Sequence, residues 1–534
     1  MKIKLIPAAV GSASAIVVSS AQAGMYINDL GTGETLLFPF YSAENGNNTL
    51  VNVANASDGH KAVKVRIIEA QNSQEVLDYN LYLSPEDHFS FAITATEEGG
   101  AKMVTADKSC TSPAIPADGV AFRTLKFDSD ENNDISRTKV GYIEIIEMGQ
   151  LDPNADPVID EAGLANGTAI NAAAAITHDA NGVPANCAII DKAWSTNGVW
   201  TSESKTTNLT GDSEFLADWA GGGLYGYATV INVPQGAAFG YDAIAIADHV
   251  AEGATGSDMH YPTGDIRPNF TDPAMDTAAI VSVNGKAVTL NFAGDYPSSA
   301  VERIQAMNAL IMKTEVHNDY VTDPDIAAST DWLFNFPTKA FHVNGTEPIQ
   351  PFSKLWSGKS ACEPTSLRSL DREESTPPPP PAPDASGPDF SPAPPTPPGP
   401  APTNNDLPLC YEATIVQFAA ESAAETSQVA VGIAAFLEAD DGWATVSFAP
   451  GAIDSTLDKC DIDGDKTTDT DAKDPCTRTI DAGDGQLVGL PVVGFAVQKY
   501  VNGNAGGAGV LANYAIATAH KACRAGTGTV ANEC

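Results

Sequence analysis

The chain has 534 residues, of which 43% are hydrophobic. That is enough to bury cores in two to four domains of about 100–200 residues each, and it excludes disorder of the whole chain. Acidic residues outnumber basic ones 68 to 29, for a formal net charge of −39, which excludes a surface built for nucleic-acid phosphates or anionic lipid headgroups and favours solubility and bound cations.

Residues 1–23 read as a secretory signal peptide. Lys2 and Lys4 precede a mostly apolar stretch from Leu5 to Val18, and Ala21-Gln22-Ala23 has the small-x-small pattern of a cleavage site. The apolar stretch is shorter than the ~20 residues a spanning helix needs, so no transmembrane segment is expected in the mature chain. The protein is therefore expected to be exported, to the cell surface or extracellular space or to the periplasm.

From Leu36 to Ile93 the pattern is strongly β. Val63, Val65 and Ile67 point one way and Lys64 and Arg66 the other, and Leu77, Tyr79, Leu81 and Leu83 form a second apolar face. Turn clusters at Asn45-Gly-Asn-Asn48, Asn55-Ala-Ser-Asp-Gly59 and Ser84-Pro-Glu-Asp87 separate the runs. An antiparallel meander with one apolar face needs a second sheet over it, which predicts a β-sandwich-like module over 24–150.

Further strands are expected at Val140 to Ile146, Tyr225 to Val233, and on either side of Asn284-Gly285, a two-residue hairpin signal. The Ala-rich stretch 162–176 suggests a helix weakened by Gly163 and Gly167. Ser299-Ala-Val-Glu302 reads as a capping box, and Ile304, Met307, Leu310 and Ile311 follow at helical spacing, which predicts a helix over 299–314. Trp332, Phe334 and Phe336 share one face of a strand ended by Pro337, the pattern of a core-facing strand. Residues 151–361 thus form a β-rich module with an α-containing insertion.

Residues 362–410 hold a proline-rich loop or linker, with Pro377 to Pro381 and Pro397-Pro398 expected in extended polyproline II. A stapled external loop and a hinge between domains both suit it. Strands resume at Tyr411 to Phe418, Ala444 to Phe448 and Val492 to Val501, so 411–534 is a C-terminal β segment completing the fold. The class is mainly β: antiparallel sandwich modules with one or two helices and a proline-rich external loop.

The eight cysteines, Cys110, Cys187, Cys362, Cys410, Cys460, Cys476, Cys523 and Cys534, are an even set in an exported chain, which suggests four disulfides. The sequential pairing 110–187, 362–410, 460–476 and 523–534 closes local loops. No CxxC pair is present, and no His sits at ligand spacing from a Cys, so a zinc site is disfavoured.

Between Cys460 and Cys476, Asp461, Asp463, Asp465, Asp469 and Asp471 alternate around Gly464. Oxygen donors at this spacing suit Ca²⁺. The segment is similar to the Asp-rich calcium loops of EF-hand-like and thrombospondin type-3 repeats, although its Gly comes one acidic step early and no closing Glu follows. A solvated acidic loop is the plainer alternative. Asp128-Ser-Asp130-Glu-Asn132-Asn-Asp134 is a weaker pattern of the same kind.

No Gly-x-Ser-x-Gly elbow occurs in the mature chain, nor a His-Glu-x-x-His, phosphate loop or dinucleotide fingerprint. The eight His are scattered singly, and no catalytic residue is singled out. Gly141-Tyr-Ile-Glu-Ile-Ile-Glu-Met-Gly149, Asp331-Trp332 with Phe336-Pro-Thr-Lys339, Asp371-Arg-Glu-Glu374 and Gly489-Leu-Pro-Val-Val-Gly-Phe-Ala496 resemble phrases of uncharacterised exported proteobacterial cell-surface-type proteins. The resemblance implies one architectural unit over most of the chain and brings no activity, cofactor or site residue. The resulting expectation is a secreted or surface structural or adhesive protein, Ca²⁺-stabilised, that self-associates or meets surface polysaccharide. A polysaccharide-binding sandwich and a secreted all-β hydrolase are the alternatives.

Overall fold

A computed structural model describes residues 24–127, 130–157, 170–196, 198–201, 214–219, 221–372, 405–434, 437, 439–448, 478–483, 485–502, 512–530 and 533. The signal-peptide expectation at 1–23 lies outside them, as do Asp461, Asp463, Asp465, Asp469 and Asp471.

The fold is mainly β and is built on antiparallel sandwiches. In the first, a nine-stranded sheet is centred on Thr35–Ser42, Val140–Leu151, His60–Glu69 and Glu75–Leu83. It faces a six-stranded sheet centred on Leu224–Asn232, Asn47–Asn55 and His88–Ala95. Val63, Val65, Ile67, Leu81, Ile143 and Ile145 from one sheet meet Val51, Val53, Phe89, Phe91 and Ile93 from the other in a single core. Burial of each such side chain stabilises the fold by roughly 1.5–3 kcal/mol.

The sheets divide the chain differently from the expected segments. Leu224–Asn232 pairs along its whole length with Asn47–Asn55, and Ile244–Ala247 pairs with Thr35–Ser42. The first sandwich therefore takes strands from both sides of the expected boundary at 150/151. The second sandwich sets a sheet of Glu363–Leu370, Asp441–Ser447 and Glu315–Val321 against one of Ala413–Gln417, Ala328–Asn335 and Phe495–Tyr500. Trp332, Phe334 and Phe336 lie in its core with Val416, Val446 and Phe448.

The Asn284-Gly285 turn joins Ala278–Val283 to Lys286–Asn291, with φ 51° and 72° at its two residues. Both values are positive, as a type I′ hairpin requires. The long helix spans Ser299–Ile311, but its cap is Ser298, whose Oγ accepts the Val301 N–H at 3.4 Å. Glu302 instead accepts the Gly294 N–H at 2.8 Å, so it closes the preceding turn rather than a capping box on Ser299. Ile304, Met307 and Leu310 pack on Ala279, Val281 and Leu290.

Cys110 is bonded to Cys187, and Cys362 to Cys410. Glu363–Leu370 and Asn405–Leu409 pair antiparallel right after the second of these, so the proline-rich segment begins and ends in one ladder. It does not separate two domains; residues 373–404 themselves lie outside the described residues. Cys523 is also disulfide-bonded, while Cys460, Cys476 and Cys534 lie outside the described set.

The sandwiches meet across a second apolar cluster. Phe40, Val230 and Phe239 from the first pack with Leu333, Ile415 and Phe495 from the second. Polar ties reinforce it. Asn335 Nδ2 donates to the Pro39 carbonyl at 2.8 Å, and Glu44 accepts from the Ser427 hydroxyl and N–H at 2.8 and 3.0 Å.

Candidate functional site

The outer face of the six-stranded sheet carries two exposed aromatic side chains on one strand. Along Leu224–Asn232 the side chains alternate between core and surface. Leu224, Ala228 and Val230 point inward, and Tyr225, Tyr227 and Thr229 stand on the other face. A Cβ on Gly226 would come within 2.5 Å of the Phe38 ring, so the inward side of this strand must carry small residues here. That steric demand sends both tyrosines outward, 41% and 43% exposed.

The register places polar partners beside them. Tyr227 lies opposite Asn52, and Asn52 opposite Ser90. Thr229 lies opposite Leu50, which is 39% exposed, and Leu50 opposite Ala92. Leu50, Asn52, Ser90, Ala92 and Thr105 line a shallow depression of about 500 Å³ next to the aromatic row. Two aromatic rings on one face, flanked by amide and hydroxyl groups, can stack on the apolar face of a sugar ring and hydrogen-bond its rim.

The ionisable groups are arranged otherwise. Lys64 and Arg66, which alternation assigns to a solvated face, are buried. Lys64 Nζ lies 3.1 Å from Asp78, Arg66 pairs with Glu75 and Glu144, and Lys61 pairs with Glu147 at 2.8 Å. The reason is a cover that alternation cannot reveal. Short helices at Ala172–Ile176 and Ala188–Ala193 pack with Trp200 and Phe215 on Ala62, Tyr82 and Met148. Nearby, Lys64 also donates to the Pro262 carbonyl at 2.8 Å.

Glu34 and Glu147 are two buried carboxyls that act on one another. Burial first, and the Glu147 and Asp248 carboxylates next, push the Glu34 carboxyl up to about 8. Burial also raises Glu147, against the Lys61 ammonium. His249, 2.7 Å from the Thr35 hydroxyl, is pushed down to about 3 by burial and by Lys61. Glu34 Oε2, His249 Nε2 and Trp219 Nε1 are buried without a protein hydrogen-bond partner. Glu34 and Glu147 are 4% and 0% exposed, which withholds the pair from any substrate.

In the described part of the weaker acidic pattern the acids meet protein donors. Asp130 accepts from Arg137 and from Trp356 Nε1, both at 2.7 Å, and Asp134 accepts the Ser136 N–H at 2.8 Å. Both carboxylate oxygens of Asp130 are thus already engaged by protein donors. Glu315, His317 and Cys523 place one ligand atom each within 4.8 Å of one another. The Cys523 sulfur is in a disulfide, so it cannot serve as a thiolate ligand.

The row of Tyr225 and Tyr227 was hidden in the sequence by its own spacing. The sequence marks a strand at Tyr225 to Val233 without saying which face is buried. The close approach of Phe38 to Gly226 shows that the Gly226 side is the inner one. No helix among the described residues is long and apolar enough to cross a membrane. Comparison with known protein families, with curated proteins and with solved structures finds no match to this chain.

Proposed function

We propose that this chain is an exported structural or adhesive protein of the cell surface or extracellular matrix. One observation carries the reading. Many charged groups are buried in ion pairs, within the first sandwich and across the seam, as in Glu69–Arg137–Asp130–Trp356. Such an interior favours a rigid body over a reaction site. Electron microscopy of producing cells and of the purified protein tests it. Filaments, sheets or a cell-bound layer are expected; strictly monomeric protein recovered only from the medium contradicts it.

A second reading is favoured by Tyr225 and Tyr227. Their exposure on a sandwich face suits a polysaccharide ligand, which would make this face the adhesive one. A glycan array with the parent and with a Tyr225→Ala/Tyr227→Ala double variant tests it. Loss of binding by more than tenfold, at unchanged melting temperature, is expected. Failure of the parent to retain any glycan contradicts it.

A further inference from the structure

Between the two sandwiches lies a cavity of about 400 Å³. Tyr241 and Ile244 wall it from the first sandwich, and Val316, Val492, Phe495 and Ala519 from the second. This volume lies within the range of small-molecule pockets, about 300–1,000 Å³, and the lining is predominantly apolar as such pockets are. One cation stands in the wall. Lys313 follows the Ser299–Ile311 helix by two residues, and its ammonium has neither a hydrogen bond nor an ion pair within 4 Å among the described residues.

The surroundings compensate that charge only in part. Arg524 acts on Lys313 as a second cation, and its own guanidinium is engaged by the carbonyls of Leu310, Met312 and Ser282 at 2.8, 3.0 and 3.2 Å. Glu533 is the opposing acid, but its carboxylate is tied to the Asn284 N–H. Asp242 stands exposed at the rim. His520 Nε2 lies 3.0 Å from the Leu333 carbonyl, so it donates there, and burial holds the ring neutral with its value down to about 4. The Tyr241 hydroxyl donates to the Phe40 carbonyl. Burial first and Arg524 second push the Lys313 ammonium down to about 7. In a chain with a net charge of −39, a cation left unpaired at an apolar cavity marks the place where an anion would relieve both its burial and its repulsion from Arg524.

We propose that this inter-sandwich cavity binds a small amphipathic carboxylate, its headgroup on Lys313 and its apolar body along Ile244, Val492 and Phe495. The inference stands apart from the surface role proposed above: Asp242 at the rim lies opposite Tyr227, but Lys313, Ile244, Val492 and Phe495 belong to other elements than the strand that carries the tyrosines. Isothermal titration of the full chain with decanoate and with decanol tests it, just below neutral pH. Saturable one-site binding of decanoate is expected, at least tenfold tighter than decanol. Lys313→Met keeps the length and apolar stem of the side chain and should abolish that preference while leaving decanol affinity in place. A second measurement needs no variant: decanoate, but not decanol, should protect Lys313 of the parent protein from an amine-modifying reagent read by mass spectrometry. Absence of saturable decanoate binding, equal affinity in Lys313→Met, or unprotected Lys313 at saturation would each overturn the proposal.

Discussion

Trp356 of the second half of the chain donates its indole N–H to Asp130 Oδ1 at 2.7 Å, while Arg137 of the first sandwich holds Oδ2 at the same distance. Arg137 in turn grips both oxygens of Glu69 at 2.7 and 2.8 Å and lies 4.3 Å from the centre of the Phe127 ring. Asp130 is therefore the joint through which a buried ionic chain of one sandwich reaches the other.

Trp356→Phe keeps an aromatic body there and removes only the donor. A hydrogen bond to a charged group contributes about 1.5–3 kcal/mol, and a loss of that order is expected in urea unfolding. Calorimetry should still give one transition, because the apolar seam of Phe239 and Phe495 remains. Two separated transitions in the parent protein would show that the sandwiches unfold independently.

Cys110–Cys187 closes a loop of sequence separation 77 and pins the helix Ala188–Ala193 to the edge strand Cys110–Ser112. Loop-closure entropy puts its contribution at about 4.5 kcal/mol. A Cys110→Ala/Cys187→Ala variant should lose stability on that scale. Proteolysis should then cut first between residues 170 and 196, where the two short helices rest on the sheet. Unchanged stability would mean that the cover holds through Ile176, Ile189 and Trp200 alone.

The β class was legible in the sequence because period-two patterning at Val63, Val65 and Ile67 survives any arrangement of the sheets. The Asn284-Gly285 hairpin and the helix from Ser299 were legible because turn chemistry and helical spacing are local. The return of Leu224–Asn232 to Asn47–Asn55 was not, since pairing between distant strands leaves no local mark. Nor was the burial of Lys61, Lys64 and Arg66. Alternation separates two faces but does not say what covers the polar one. The candidate surface at Tyr225 and Tyr227 was hidden for the same kind of reason, as its orientation depends on Phe38, far away in sequence.

The raised carboxyl of Glu34 sets a pH dependence with a definite sign. In the unfolded chain it loses its proton near 4.5, and in the folded protein it keeps it up to about 8. Across that window the folded state holds the extra proton, so this group lowers stability progressively as pH rises. Glu34→Gln is neutral throughout. Its stability relative to the parent should improve with pH by up to about 1.4 kcal/mol per unit across the window, and should not change below it. Urea unfolding of both proteins at the two ends of the window measures this. A pH-independent difference would mean that Glu34 is ionised in the folded protein.

The Asp-rich stretch from Asp461 to Asp471 carries a separate expectation. If Ca²⁺ binds these carboxylates, chelation should lower the melting temperature, and added Ca²⁺ should restore it in a concentration-dependent way. An Asp463→Asn/Asp465→Asn variant should then show no response to chelator. A melting temperature indifferent to chelation in the parent would rule out a structural ion there.

Where the protein resides bears most directly on its role. Fractionation of producing cells, with imaging of the protein in place and a count of free thiols, should find it in the envelope or matrix fraction with its cysteines oxidised. A cytoplasmic pool with reduced thiols and an intact N-terminal leader would contradict the proposed role at its root.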